Sequence, residues 1–108
     1  MATHGAAITH ALYEHINTFQ QYTNLEEIVL CLMRKKEIEN DEFHEMMNLE
    51  TRKKQVLFLF GKISRAGDNA FMGLLECLQA KYRDLAEALL TTLEREDAGY
   101  AKEIRLSK

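Results

Sequence analysis

The chain has no proline and no tryptophan, and only five glycines among its 108 residues. An all-β fold needs a turn roughly every 8–12 residues, built mostly from glycine, proline and asparagine. Those residues are too few here. Cysteine is nearly absent as well. Cys31 and Cys77 are too few for a disulfide framework. Both stand inside apolar helical runs, so two buried, reduced thiols in a reducing compartment are expected. Long apolar stretches are missing too. The longest, Ile28 to Met33, is far short of the roughly 20 residues of a membrane helix. No lysine or arginine precedes Arg34, so the start of the chain lacks the basic n-region of a secretory signal. A soluble, cytoplasmic protein that makes no membrane contact is expected. Nor is there an excess of positive charge. Fourteen basic residues face seventeen acidic ones, for a net charge of −3, which argues against a general nucleic-acid binder.

What remains is a composition of 46% apolar and 29% charged residues, rich enough in apolar side chains to fold. The mass of 12.5 kDa suits one domain exposing about 6,200 Å² when folded.

The apolar residues recur with helical spacing. Ile8, Leu12, Ile16 and Phe19 form one stripe. Thr23-Asn24 offers an N-cap to a second, Leu25, Ile28, Val29 and Leu32, with Glu26 and Glu27 in its first turn and Arg34-Lys35-Lys36 at its end. Asn40 or Asp41 can cap a short third segment with Phe43, Met46 and Met47 on its apolar side. Thr51 can cap a fourth. Val56, Leu57, Leu59, Phe60 and Ile63 cover much of its circumference, as in a central helix. Its first turn is Arg52-Lys53-Lys54, and three cations there oppose the helix dipole. Helix stability does not explain them, which makes them candidates for an external role. Gly67 can end the fourth helix and Asp68 can cap a fifth, with Phe71, Leu74, Leu75 and Leu78. A sixth carries Leu85, Ala86, Leu89 and Leu93. Glu94 to Lys108, with four acidic and four basic residues, is expected to be a frayed extension or linker outside the core. The pattern defines an all-α globule of six short helices.

No motif offers catalysis. The chain lacks a glycine-rich phosphate loop, Gly-x-Ser-x-Gly, Cys-x-x-Cys and HExxH. No enzyme, metal or cofactor is therefore expected, and His4, His10, His15 and His44 read as surface or half-buried polar residues. The charges are more informative because they are segregated. Glu37, Glu39, Asp41, Glu42 and Glu45 crowd one stretch. Arg34-Lys35-Lys36, Arg52-Lys53-Lys54, Lys62 and Arg65 gather in others. A molecule with one acidic and one basic face can dock a complementary partner, or stack head to tail on copies of itself.

The ordered set of these segments resembles a caspase recruitment domain (CARD), a member of the death-fold superfamily. Leu25-Glu26-Glu27-Ile28-Val29 through Leu32-Met33-Arg34 is similar to the second CARD helix. Glu37 to Phe43 is similar to the entry into the third, and Thr51-Arg52-Lys53-Lys54 with Val56, Leu57 and Phe60 to the fourth. Arg65-Ala66-Gly67-Asp68-Asn69-Ala70-Phe71, followed by Leu74, Leu75 and Leu78, resembles the family's Arg-x-Gly-x-x-Ala-Phe turn into helix five. Leu85, Ala86 and Leu89 fit its last helix. The similarity spans about residues 6–94.

The resemblance implies a six-helix antiparallel Greek-key bundle over residues 1–94, with 95–108 a charged helical extension or linker. It implies a non-catalytic module that binds another CARD-containing protein, whether caspase, scaffold or adaptor, in apoptosis or innate immunity. Self-assembly into an oligomer or filament is also implied. The acidic partner-binding face maps onto Glu26, Glu27, Glu37, Glu39, Asp41 and Glu42. The basic face maps onto Arg52, Lys53, Lys54 and Lys62. Helix one, which supplies cations to the basic face in many CARDs, carries Glu14, His10 and His15 instead. The expectation therefore tilts towards docking a basic partner. Two alternatives are an adaptor of the death effector domain type, suggested by Arg83-Asp84-Leu85, and a small helical nucleic-acid-binding regulator using the basic clusters.

Overall fold

Without proline, several helix boundaries in this chain are set by a capping side chain or by a residue that leaves helical geometry. The computed structural model describes residues 4–106, and these form helices and no strands. The helices are α1 (Gly5–Glu14), α2 (Ile16–Tyr22), α3 (Leu25–Arg34), α4 (Asn40–Met47), α5 (Arg52–Ala66), α6 (Asp68–Gln79), α7 (Arg83–Glu96) and α8 (Ala98–Leu106). The fold class is all-α, as the periodicity requires. There are eight helices among the described residues where six were expected, because the first is broken and one is added at the end.

The break falls at His15, with φ −109° and ψ 20°. Its N–H donates to the Leu12 carbonyl, a tighter turn than the α-helical one. Its imidazole Nε2 lies 2.8 Å from Thr92 Oγ1 on α7, which anchors the break.

Three boundaries follow the sequence reading and two move. Asn24 Oδ1 accepts the Glu27 N–H and Thr51 Oγ1 accepts the Lys54 N–H, as expected of N-caps. Gly67 ends α5 at φ 93° and ψ −149°, a region open in practice only to glycine. The α4 cap is Glu39 rather than Asn40 or Asp41. The Glu42 carboxylate reaches back to accept the Glu39 N–H at 2.9 Å, which starts the helix one residue early. Asp68 is not a cap either. It is the first residue of α6, because Gly67 already serves both helices.

The end of α3 combines two hydrogen bonds into a Schellman turn. The Glu37 N–H donates to the Leu32 carbonyl and the Lys36 N–H to that of Met33. Lys36 sits in the left-handed region (φ 64°) that usually calls for glycine. This turn presents Glu37 and aims the chain into α4.

The core is shared among all eight helices. Phe19, Phe60 and Phe71 are its largest enclosed side chains, and the Phe19 and Phe60 rings meet edge to face at 4.9 Å. α5 packs against α1, α2, α4 and α6. α1 packs against α7, and α3 against α6.

The terminal stretch departs from expectation. Tyr100, Ala101 and Ile104 are buried, and α8 packs along α7. Asp97 caps α8 by accepting the Tyr100 N–H. The His4 ring stacks on Tyr100 with centroids 3.8 Å apart, and its Nδ1 lies 3.0 Å from Asp97 Oδ2. Arg105 bonds both Glu87 and Glu94. Residues 98–106 are thus helical, as one of the two expectations had it, but they pack into the core instead of lying outside it. An apolar stripe at 100, 101 and 104 outweighs the charge around it.

Candidate functional site

The two charged faces are unequal once the chain is folded, because the helices that carry them also neutralise them. α3 projects Glu26 and Glu27 from its first turn, where the helix dipole favours carboxylates. The Schellman turn presents Glu37, and α4 opens on Glu39, Asp41 and Glu42. Glu26 and Asp41 are exposed and Glu37 is half-buried. None of the three enters an ion pair or side-chain hydrogen bond among the described residues. Glu27 is paired with Lys81 at 3.1 Å, which raises the ammonium pKa of Lys81. Glu42 lies 2.5 Å from Lys62. The Glu39 N–H above all, and then Lys62, hold its carboxyl below the usual range.

The basic face is depleted by one of these contacts and by two others. Lys62, expected to be free for a partner, is bound to Glu42 on α4 and lies over the Phe58 ring at 5.7 Å. Arg52 donates to the Thr23 backbone carbonyl. It ties the start of α5 to the α2–α3 junction while the residue stays exposed. Lys54 reaches Glu50 at 3.4 Å. Lys53 is the member of the expected set that makes no such contact among the described residues.

Helix one does not restore the positive charge. Arg95 of α7 lies 2.5 Å from Glu14 and lowers its pKa. His10 sits 3.2 Å from Glu14 and 3.4 Å from Glu96. The position is a polar seam between α1 and α7.

The expected free thiols are absent. Cys31 and Cys77 form a disulfide between α3 and α6, with Cα atoms 6.0 Å apart, and both are half-buried. Gly73 of α6 lies at the same seam. A Cβ there would meet Glu37 Cγ at 3.3 Å, and Leu32 and Lys35 at 3.6 Å. Two ion pairs flank the bridge, Glu27–Lys81 on one side and Lys35–Glu76, at 2.7 Å, on the other. The Arg34-Lys35-Lys36 cluster is thereby divided. Lys35 is paired, Lys36 makes the turn, and Arg34 borders a groove beside the disulfide.

Among the described residues no group of three or more His, Cys, Asp or Glu could hold a metal ion, and no helix is long and apolar enough to cross a membrane. Compared with protein-family models, with curated proteins and with solved structures, the chain has no match.

Proposed function

We propose that the chain is a non-catalytic interaction module of the CARD type. Its acidic surface on α3, the α3–α4 turn and α4 docks a basic surface on another CARD-containing protein. The observation that carries this reading is the uneven neutralisation of charge. Among the described residues, Glu26, Glu37 and Asp41 stay unpaired on one side, while three of the four expected cations on α5 are engaged within the fold.

The architecture supports the family assignment. With α1 and α2 taken as one broken helix, α3 to α7 complete six helices by Glu96, in register with the six apolar segments of the sequence. The first packs on the sixth and the second on the fifth. Such non-sequential pairing is what a Greek-key bundle requires. The partner is then a caspase, scaffold or adaptor of apoptotic or innate immune signalling, met in the cytoplasm. Complementary charge orients such an encounter and speeds it, and salt weakens it.

Charge reversal tests the reading. Glu26→Lys and Asp41→Lys should each weaken binding to a basic-faced CARD by roughly tenfold or more, and Lys53→Glu should leave it intact. Arg52 is a poor choice for reversal, because its loss also breaks the tie to Thr23. Light scattering across a salt series tests self-assembly separately. A monomer at every salt concentration is expected, since Lys53 alone makes a weak basic face. Filaments that dissolve as salt rises would show that the basic face works after all.

A further inference from the structure

The Cys31–Cys77 bridge does not lie sealed in the core. Both cysteines are half-buried and border an open groove of about 450 Å³. Arg34, Lys35 and Lys81 stand around the same groove. Glu76 and Glu27 occupy Lys35 and Lys81, while Arg34 has no ion-pair partner among the described residues. A thiolate approaching the bridge therefore meets one uncompensated cation, Arg34, which favours the attacking anion and the thiolate that leaves. Nor does the α3–α6 seam depend on the bridge alone. An ion pair stands on each side of it, and Leu32 of α3 and Leu74, Leu75 and Leu78 of α6 are core residues. Opening the bridge leaves those contacts in place.

We propose that Cys31–Cys77 is a reversible thiol–disulfide site, opened and closed by a small anionic thiol of the glutathione type in the folded protein. In the opening direction, a glutathione thiolate attacks one cysteine sulfur. The Cys31–Cys77 bond breaks and the other cysteine leaves as a thiolate. A second glutathione thiolate then attacks the glutathione sulfur of the mixed disulfide. It forms oxidised glutathione and frees the second cysteine. Two glutathione thiols give up two electrons and the protein takes them, its thiolates gaining protons from water. Oxidised glutathione runs the same steps backwards. The switch itself stands on the groove. Its bearing on docking rests on the function proposed above, because α3 carries both Cys31 and Glu26.

The test uses the oxidised full chain, with no binding partner. It is incubated with millimolar reduced glutathione at pH 7.5, quenched with a maleimide, and the labelled cysteines are counted by mass spectrometry. Circular dichroism is followed in parallel. Both cysteines should become labelled while the helical signal persists, and oxidised glutathione should close the bridge again. Arg34→Gln should slow opening by glutathione several-fold and leave opening by uncharged 2-mercaptoethanol unchanged. A bridge that resists until denaturant is added, or a chain that unfolds on reduction, would overturn the switch. Equal slowing of both thiols would overturn the role of Arg34. Failure of the docking reading would leave the thiol count untouched.

Discussion

Gly67 and Lys36 both have positive φ, and they invite opposite substitutions. At φ 93° and ψ −149°, Gly67 occupies a region closed to other residues, so Gly67→Ala should cost about 1–3 kcal/mol in urea unfolding. Lys36 holds the left-handed end of α3 at φ 64°, where a side chain costs about 1 kcal/mol. Lys36→Gly should therefore raise stability by somewhat less than that, part of the gain being lost to the freer unfolded chain. A destabilised Lys36→Gly variant would show that the lysine stem contributes packing. Acid acts through two capping carboxylates. Asp97 is held below its ordinary pKa by the Tyr100 N–H and then by His4, and Glu42 by the Glu39 N–H and then by Lys62. For such groups the folded pKa lies below the unfolded one. Their stabilisation is complete above the unfolded value near 4 and disappears as pH falls through the folded values. Thermal melts should drop in midpoint below about pH 4, and Asp97→Asn, which keeps a capping oxygen, should flatten that drop. An unchanged acid slope in this variant would exclude Asp97. At this scale the sequence was legible wherever a cap is local, as with Asn24, Thr51 and Gly67. Glu39 escaped notice because its capping box is completed by Glu42, a residue read as part of a docking face.

α8 shows how an element can hide. Four acidic and four basic residues after Leu93 suggest solvent, yet Tyr100, Ala101 and Ile104 share one face, and Asp97 stands three residues before Tyr100 as a cap. That local signal was in the sequence and was masked by the average charge. Ile104→Ala should cost about 2–5 kcal/mol if α8 is part of the core. A change of a few tenths would return it to the status of a linker. The break between α1 and α2 had no such signal, because it depends on His15 meeting Thr92 across 77 positions. The disulfide depends likewise on α3 packing against α6, which periodicity does not reveal. It joins positions 46 apart, and closing a loop of that length stabilises the chain by about 4 kcal/mol at most. Cys31→Ser should lower unfolding stability by about 2–4 kcal/mol and leave the helical content unchanged.

Across the whole molecule, the segregation of charge was plain in the sequence, and the loss of half of it was not. Glu42 and Lys62 lie 20 positions apart and read as members of opposite faces. They meet because α4 packs on α5. Arg52 reads as a partner-facing cation, and in the fold it also serves a backbone carbonyl. The fold thus keeps an acidic face and spends most of a basic one on itself, and the proposed function follows from that imbalance. The most direct measurement of it is a titration of the oxidised chain onto purified CARDs with basic helix-one and helix-four surfaces, in low and high salt, beside Glu26→Lys, Asp41→Lys and Lys53→Glu. At least one such domain should bind the wild-type chain and the Lys53→Glu variant alike. Raised salt, or either acidic reversal, should weaken that binding by roughly tenfold or more. Binding indifferent to Glu26 and Asp41, or no binding to any basic-faced CARD, would contradict the account.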